Sequence, residues 1–308
     1  MTESAGMSAP ESWHQPVMAE EVLQYLRPRP GGVIVDGTVG SGGHSLSILP
    51  ALLPDGRLIA VDRDPEALRL ARQRLREFEP LVTFVHEDYR HLPAVLDRLG
   101  VERVDGFVLD LGMSSLQVDR PERGFSFSAE GPLDMRMNPD DDTTASDLVR
   151  RLSAGELTNL FVQFGEERFA ARIARRIVEA RRRRPLTTTA ELADLIRGAV
   201  PPAARRGRIH PATRVFQALR IAVNDELAAL EALLAALPGR LAPEGRAVIL
   251  SYHSLEDRLV KRAFASGARD GHWVVLTKKP VVPSSEECVR NPRGRSAKLR
   301  AVEGGGPS

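Results

Sequence analysis

Val33-Ile-Val-Asp36-Gly-Thr-Val-Gly40-Ser-Gly42-Gly43-His44 is a short β-branched run that breaks, directly after a carboxylate, into a glycine-rich loop. A strand that ends this way at the head of a helix is how a doubly wound sheet meets a nucleotide-like ligand. Eighteen residues past His44 a second apolar run, Leu58-Ile-Ala-Val61, ends in Asp62-Arg-Asp-Pro65, where such a sheet places the acid that holds ribose hydroxyls. Either glycine pair alone reads equally well as a turn. The second acid at this spacing favours a ligand loop, with two strand ends aimed at one molecule.

Charge narrows the choice of ligand. The dinucleotide fingerprint G-x-G-x-x-G would start at Gly40 and Gly42 but needs a third glycine where this chain has Ser45. Asp36 at the strand end would repel a pyrophosphate, whereas it attracts the ammonium and sulfonium of S-adenosylmethionine. A methyl donor therefore fits better than a nicotinamide dinucleotide.

Outward from this loop the pattern alternates. Pro65 to Phe78 has helical periodicity, Leu81 to Val85 is β-rich, His91 to Leu99 is helical, and Val104 to Leu109 reads as a buried strand ending at Asp110. This is the rhythm of a parallel α/β sheet. It stops until Gly245-Arg-Ala-Val-Ile-Leu-Ser251, leaving mainly helical and loop sequence between. Helical patterns run over Glu156 to Phe164, Glu166 to Arg184 (separated by Gly165) and Thr188 to Ala199. Ala212 to Leu237 reads as one long helix, ended by Pro238-Gly239, that returns the chain to the sheet. Strand Ala247 to Ser251, helix Leu255 to Ala265 and two β-rich segments, His272 to Thr277 and Ala297 to Val302, close the chain. The expected architecture is α/β: a doubly wound, seven-stranded Rossmann-like methyltransferase sheet with its last strand antiparallel and an inserted, mainly helical domain. Residues 1–12 read as a disordered tail, 13–117 and 212–308 as the sheet domain, and 118–211 as the insert.

At 308 residues the chain has room for one nucleotide-binding core and one addition. One cysteine, Cys288, rules out an intramolecular disulfide framework and a multi-cysteine zinc site and fits a reducing, cytoplasmic setting. No stretch approaches the ~20 apolar residues of a membrane span, and the N-terminus lacks a secretory signal. Net charge is only +2, but it is unevenly spread. Asp119 to Asp147 holds eight acids against three arginines; Arg168 to Arg220 holds fourteen arginines against Glu179, Glu191 and Asp194; Arg290 to Arg300 adds five basic residues and no acid. Such asymmetry points to a polyanionic partner. In the second arginine-rich helix, Phe169, Ile173 and Ile177 recur every four residues while Arg168, Arg172 and Arg175 fall on an adjacent stripe. A solvated face laced by i to i+4 pairs would need more acids than this helix has, which favours nucleic acid. Arg181, Arg182, Arg205, Arg206 and Arg208 extend the candidate phosphate-binding set. His86, Glu87, Asp88 and His91 have no spacing that demands a metal, and none is expected.

Taken together, His14-Gln-Pro-Val17, Asp36 to Ser45, Asp62 to Pro65, Asp110-Leu-Gly-Met-Ser-Ser115, Arg123-Gly-Phe-Ser-Phe127, Gly131-Pro-Leu-Asp-Met-Arg136, Arg214-Val-Phe-Gln-Ala-Leu-Arg220, Ser254-Leu-Glu-Asp-Arg258 and Arg290 to Lys298 resemble the bacterial ribosomal RNA small subunit methyltransferase H family. The resemblance runs in order from about His14 to the end. It implies N4-methylation of a cytidine in the decoding region of 16S ribosomal RNA, within the small subunit, from S-adenosylmethionine. It also implies cofactor contacts at Gly42, Gly43, His44, Asp62, Tyr89, Asp110 and Gln117. Tyr89 stands where many relatives have phenylalanine, and it keeps the aromatic face against adenine.

The chemistry sets its own demand. A cytosine amine is a poor nucleophile, because its lone pair is delocalised into the ring, so catalysis needs acceptors that hold its N–H groups. Asp110-Leu-Gly-Met stands in place of the Asp/Asn-Pro-Pro-aromatic tetrad of many amino-methyltransferases, keeping only the carboxylate. Asp110 is therefore expected to orient the amine. His253 and Glu256, past the next strand, are the candidates to relay the released proton; Ser254 with Asp257 reads also as a helix cap. A nicotinamide-dependent oxidoreductase and a ribosome-assembly module without turnover are the competing readings; the loop chemistry and the retained cofactor residues weigh against them.

Overall fold

The computed structural model describes residues 15–205, 207 and 209–305; the expected tail at 1–12, His14, Arg206 and Arg208 lie outside the described residues. The strands are β1 (Val33–Asp36), β2 (Arg57–Asp62), β3 (Val82–His86), β4 (Val104–Asp110), β5 (Leu241–Ser251), β6 (Trp273–Val275) and β7 (Lys298–Gly304). They form one sheet in the order β3-β2-β1-β4-β5-β7-β6. The first five are parallel, and β7 runs antiparallel to both β5 and β6. This is the doubly wound, Rossmann-like arrangement read from the alternating pattern.

The two-residue period of the strands assigns the faces. Ile34, Leu58, Ala60 and Val108 pack with the helix Gly43–Leu52, whereas Val35, Ile59, Val61, Phe107 and Leu109 pack under the helices Leu92–Arg98, Glu226–Arg240 and Ser254–Arg269. In register, Asp36 lies opposite Ala60 and Val108, so Asp36, Asp62 and Asp110 end three adjacent strands on one edge of the sheet. Between β1 and β4 the strand order reverses, which opens a crevice at those carboxyl ends.

The helices after β4 have their own core, built from Phe125, Leu133, Met135, Leu157, Phe161, Ile173, Ile177, Leu192 and Ile196. The sequence Ala212 to Leu237 is two helices, Thr213–Asn224 and Glu226–Arg240, broken at Asp225 with φ +49°. Val215, Phe216, Ala218 and Leu219 of the first belong to the inserted core, so the chain returns to the sheet at Asp225 and not at Ala212. Pro238 does not end the second helix but sits inside it, where only one of the last turn's backbone bonds is lost. Gly165 is likewise the last residue of the helix Ala154–Gly165, and Glu166, in the left-handed region, makes the break. A six-residue helix, Ser285–Arg290, precedes β7.

Candidate active site

The glycine loop is shaped by its own carboxylates. The Ser45 hydroxyl donates to Asp36 Oδ2 at 2.7 Å and the Thr38 N–H to its Oδ1 at 3.3 Å. Burial pushes the Asp36 carboxyl up, and Ser45 only partly offsets this. Asp62 reaches across from β2: its Oδ2 accepts the Gly40 N–H at 2.8 Å and its Oδ1 the Asp64 N–H at 2.9 Å. Burial raises its pKa to about 7 against the pull of those two amides. Gly42 has φ +82°, and a Cβ there would sit 3.2 Å from Leu75 Cγ. Its role in this loop is conformational and steric; it is the one expected cofactor residue that does not face the cavity described next.

A cavity of about 410 Å³ opens over these strand ends, within the range of small-ligand sites. Gly43, His44, Asp62, Tyr89, Asp110 and Gln117 all line it, gathered from five separate stretches of chain. His44 is buried, with Nε2 3.5 Å from Asp110 Oδ2, and neither ring nitrogen has a hydrogen-bond partner among the described residues. Burial opposes charge on this imidazole, but the attraction of Asp110 and Asp36 outweighs it and the net shift is upward. Asp110 accepts from the Tyr252 hydroxyl at 2.6 Å through Oδ1, and its own N–H donates to Thr38 Oγ1 at 2.7 Å. Tyr89 donates its hydroxyl to the Glu226 carbonyl at 3.3 Å. Gln117 closes a capping box with Ser114 and donates Nε2 to Asp64 Oδ2 at 3.1 Å, so its amide is already engaged on both sides.

Past β5 the expected proton relay separates. Glu256 lies on the cavity wall; His253 does not. His253 is the N-cap of the helix Ser254–Arg269, with its Nδ1 taking the Glu256 N–H and Glu256 accepting the N–H groups of Tyr252 at 2.9 Å and His253 at 3.3 Å. The capping box is thus His253 with Glu256, not Ser254 with Asp257. Asp257 turns instead to Lys298 and Arg300 on β7. Burial opposes ionisation of Glu256, yet His253 and Arg220 hold it below the ordinary carboxylate range. Glu226, His253 and Glu256 bring potential ligand atoms within 4.8 Å of one another. Glu226 is, however, already neutralised by Arg220, through Nε–Oε1 at 2.8 Å and Nη2–Oε2 at 2.9 Å, which makes this a poor cation site.

Several functional neighbours were not singled out from sequence. Tyr252, Arg220 and Glu226 share the cavity wall, and Met113 stands on its rim, 41% exposed. Two arginines tie the insert to β2: Arg63 donates to the Asn224 carbonyl at 2.7 Å and to Asp141 at 2.9 Å, and Arg123 to Asp64 at 2.9 Å. Arg123 and Arg220 lie in two of the motif runs, but a run does not disclose a partner 59 residues away. Of the arginines expected to meet phosphate, Arg168, Arg172, Arg175 and Arg182 are exposed, opposite the buried Ile173 and Ile177. Arg181 donates to the Val149 carbonyl, and Arg205 to those of Val200 and Gly198, so these two close helix ends. Among the described residues no helix is long and apolar enough to cross a membrane.

A parallel sheet with one reversed strand, β7, inserted between β5 and β6, a glycine loop held by two acids, and an aromatic and a carboxylate over the same crevice define the Rossmann-like methyltransferase class. Residues 11–304 match the MraW methylase family, and the chain belongs to it. It is 52% identical over 305 residues to the ribosomal RNA small subunit methyltransferase H of Geobacter sulfurreducens, covering 94% of this chain and 98% of that one. Identity to the like-named proteins of Heliobacterium modesticaldum and Thermobifida fusca is 49% over 306 residues and 47% over 326, covering 94% and 98% of this chain and 98% of each relative. The methyl donor is S-adenosylmethionine. The groups present fit it: the buried His44 imidazole, whose Nδ1 has no hydrogen-bond partner among the described residues, suits its carboxylate, Asp62 its ribose hydroxyls, and the Asp110 carboxylate its cationic centres, whereas Asp36 lies behind the wall and holds the loop.

Proposed function

We propose that this protein methylates the exocyclic N4 of a cytidine in the decoding region of small-subunit (16S) ribosomal RNA, acting in the cytoplasm on the small subunit. The names of the relatives support ribosomal RNA as substrate, and the motif resemblance supports the base and the atom. The observation that carries the chemistry is the placement of the Asp110 carboxylate on the wall that also holds His44, Asp62 and Tyr89. In this reading Gly43, His44, Asp62, Tyr89, Asp110 and Gln117 surround the cofactor, Gly42 shapes the loop, and the insert that follows Gln117 captures RNA.

The donor supplies an electrophilic methyl on a good leaving group, so the protein's task is positioning. Tyr252 fixes Oδ1 of Asp110, and Oδ2, which His44 Nε2 faces at 3.5 Å, accepts an N4–H and turns the nitrogen lone pair toward the methyl. When the new N–C bond forms, the amine sheds one proton, and Asp110 is the acceptor at hand. Glu256 is on the wall but committed to its helix cap, and His253 is off the wall, which makes Asp110 the better placed acceptor. A cytidine paired in a duplex hides N4, so the base enters unpaired or flipped.

Asp110→Asn tests this. The expected result is a loss of about 10²–10⁴ in kcat, the usual weight of a positioned base, with calorimetric affinity for the cofactor within tenfold of the parent. Normal turnover removes Asp110 from the mechanism, and a methyl mapped by mass spectrometry to another base or atom overturns the assignment of N4.

A further inference from the structure

The cavity rim has a second basic element besides the insert. The segment from Ser284 to Ser296, a short helix followed by a 3₁₀ turn, crosses the mouth, and Asn291, Arg293 and Ser296 lie on the wall itself. It is fastened to the body at separate points. Glu287 accepts the Met18 N–H, Asn291 donates to the Gln15 carbonyl at 3.2 Å, Arg293 pairs with Asp119, and Gly294 packs on Val17. Three of the neighbouring acids are spoken for, Glu287 by that backbone amide, Asp119 by Arg293, and Asp257 by Lys298 and Arg300, while Glu286 stands exposed one turn before Arg290 and forms no ion pair with it. Arg290 and Arg295 are left exposed, with no ion pair among the described residues. The helical insert spends Arg176, Arg184 and Arg197 on acids and Arg181 and Arg205 on carbonyls and keeps Arg168, Arg172 and Arg182 exposed, but none of these lies on the cavity wall, whereas the strap does.

We propose that this strap is a phosphate-binding rail for single-stranded RNA, on which Arg290 and Arg295 hold the backbone beside the nucleotide that enters the cavity. The inference rests on the RNA substrate proposed above. A base delivered to Asp110 brings its own flanking phosphates across whatever forms the rim, and here the rim presents arginine forks on a segment that is already ordered. Backbone contacts of this kind set register without reading sequence, which leaves base choice to the cavity.

The full-length R290A/R295A variant, assayed on small ribosomal subunits at several salt concentrations, tests the rail. Two lost contacts to a single strand reduce the salt slope by about 1.4, so between 50 and 200 mM salt the parent loses about sevenfold more affinity than the variant. The expected result is a raised KM, an unchanged kcat, unchanged cofactor affinity by calorimetry and partial recovery in R290K/R295K. Unchanged KM and salt slope, or a fall in kcat alone, overturns the rail while leaving the methyltransferase reading standing. A parent enzyme that transfers no methyl to small-subunit RNA overturns the functional reading itself, and the rail with it.

Discussion

Replacing Arg123 by Ala removes the most connected link between the insert and the cofactor crevice. Its Nη2 donates to Asp64 Oδ2 at 2.9 Å, to the Met137 carbonyl at 2.8 Å and to that of Arg136 at 3.1 Å, while Nη1 lies 3.7 Å from Glu66 Oε2. The Asp64 side chain is 0% exposed and that of Arg123 11%. Truncation therefore strands a fully buried carboxylate that keeps only the Gln117 amide and the Glu66 N–H, and it leaves two carbonyls without this donor. Breaking a buried pair from one side costs about 3–5 kcal/mol, against about 5–15 kcal/mol for a whole domain. Urea unfolding of the cofactor-free protein measures it directly. The second change Asp64→Asn, which removes the stranded charge, recovers a large part of the loss in the double variant, and the cycle yields a coupling of roughly 0.5–3 kcal/mol. A loss under about 1 kcal/mol for R123A would refute the reasoning, because it would mean that Asp64 is hydrated and the insert is held elsewhere.

Two further perturbations bear on the glycine loop. Asp62 keeps its proton up to about 7 when folded, against an ordinary value of 3.8. The folded state therefore binds more protons across that interval, and its stability falls as pH rises from about 4 to about 7 before levelling off. In the proposed binding mode ribose hydroxyls donate to the ionised form, so cofactor affinity is expected to rise over the same interval; Asp62→Asn flattens both slopes, in thermal melts and in calorimetry respectively. Gly42→Ala combines a left-handed φ of +82° with a Cβ 3.2 Å from Leu75, and costs about 1–3 kcal/mol of stability in urea melts; a neutral result would show that the loop relaxes freely.

What the sequence disclosed of this fold was local. The β-branched runs ending in Asp36, Asp62 and Asp110 announce themselves through strand period and turn chemistry, and those signals fixed the sheet and the three acids at its edge. The break at Asp225 gave no such signal: apolar residues keep helical spacing from Ala212 to Leu237 with no glycine at the corner, and only the packing of Phe216 and Leu219 into the insert requires the turn. Capping failed for a related reason, since an imidazole rather than the adjacent serine takes the Glu256 N–H. Arg181 and Arg205 looked like part of a phosphate face because sequence shows the charge and not the carbonyl waiting for it. The pairs Arg123–Asp64, Arg63–Asp141 and Arg220–Glu226 are products of tertiary approach, which no periodicity encodes.

The corner at Asp225 also decides where the molecule can be cut and spliced. A chimera that exchanges the helical unit between relatives at residue 211 would orphan Val215, Phe216 and Leu219 from the apolar partners they evolved with. A junction at Asp225 keeps that core whole but divides the guanidinium of Arg220 from the carboxylate of Glu226, so the graft must carry both sides of the pair. The helical insert is thus exchangeable only together with one piece of the cavity wall.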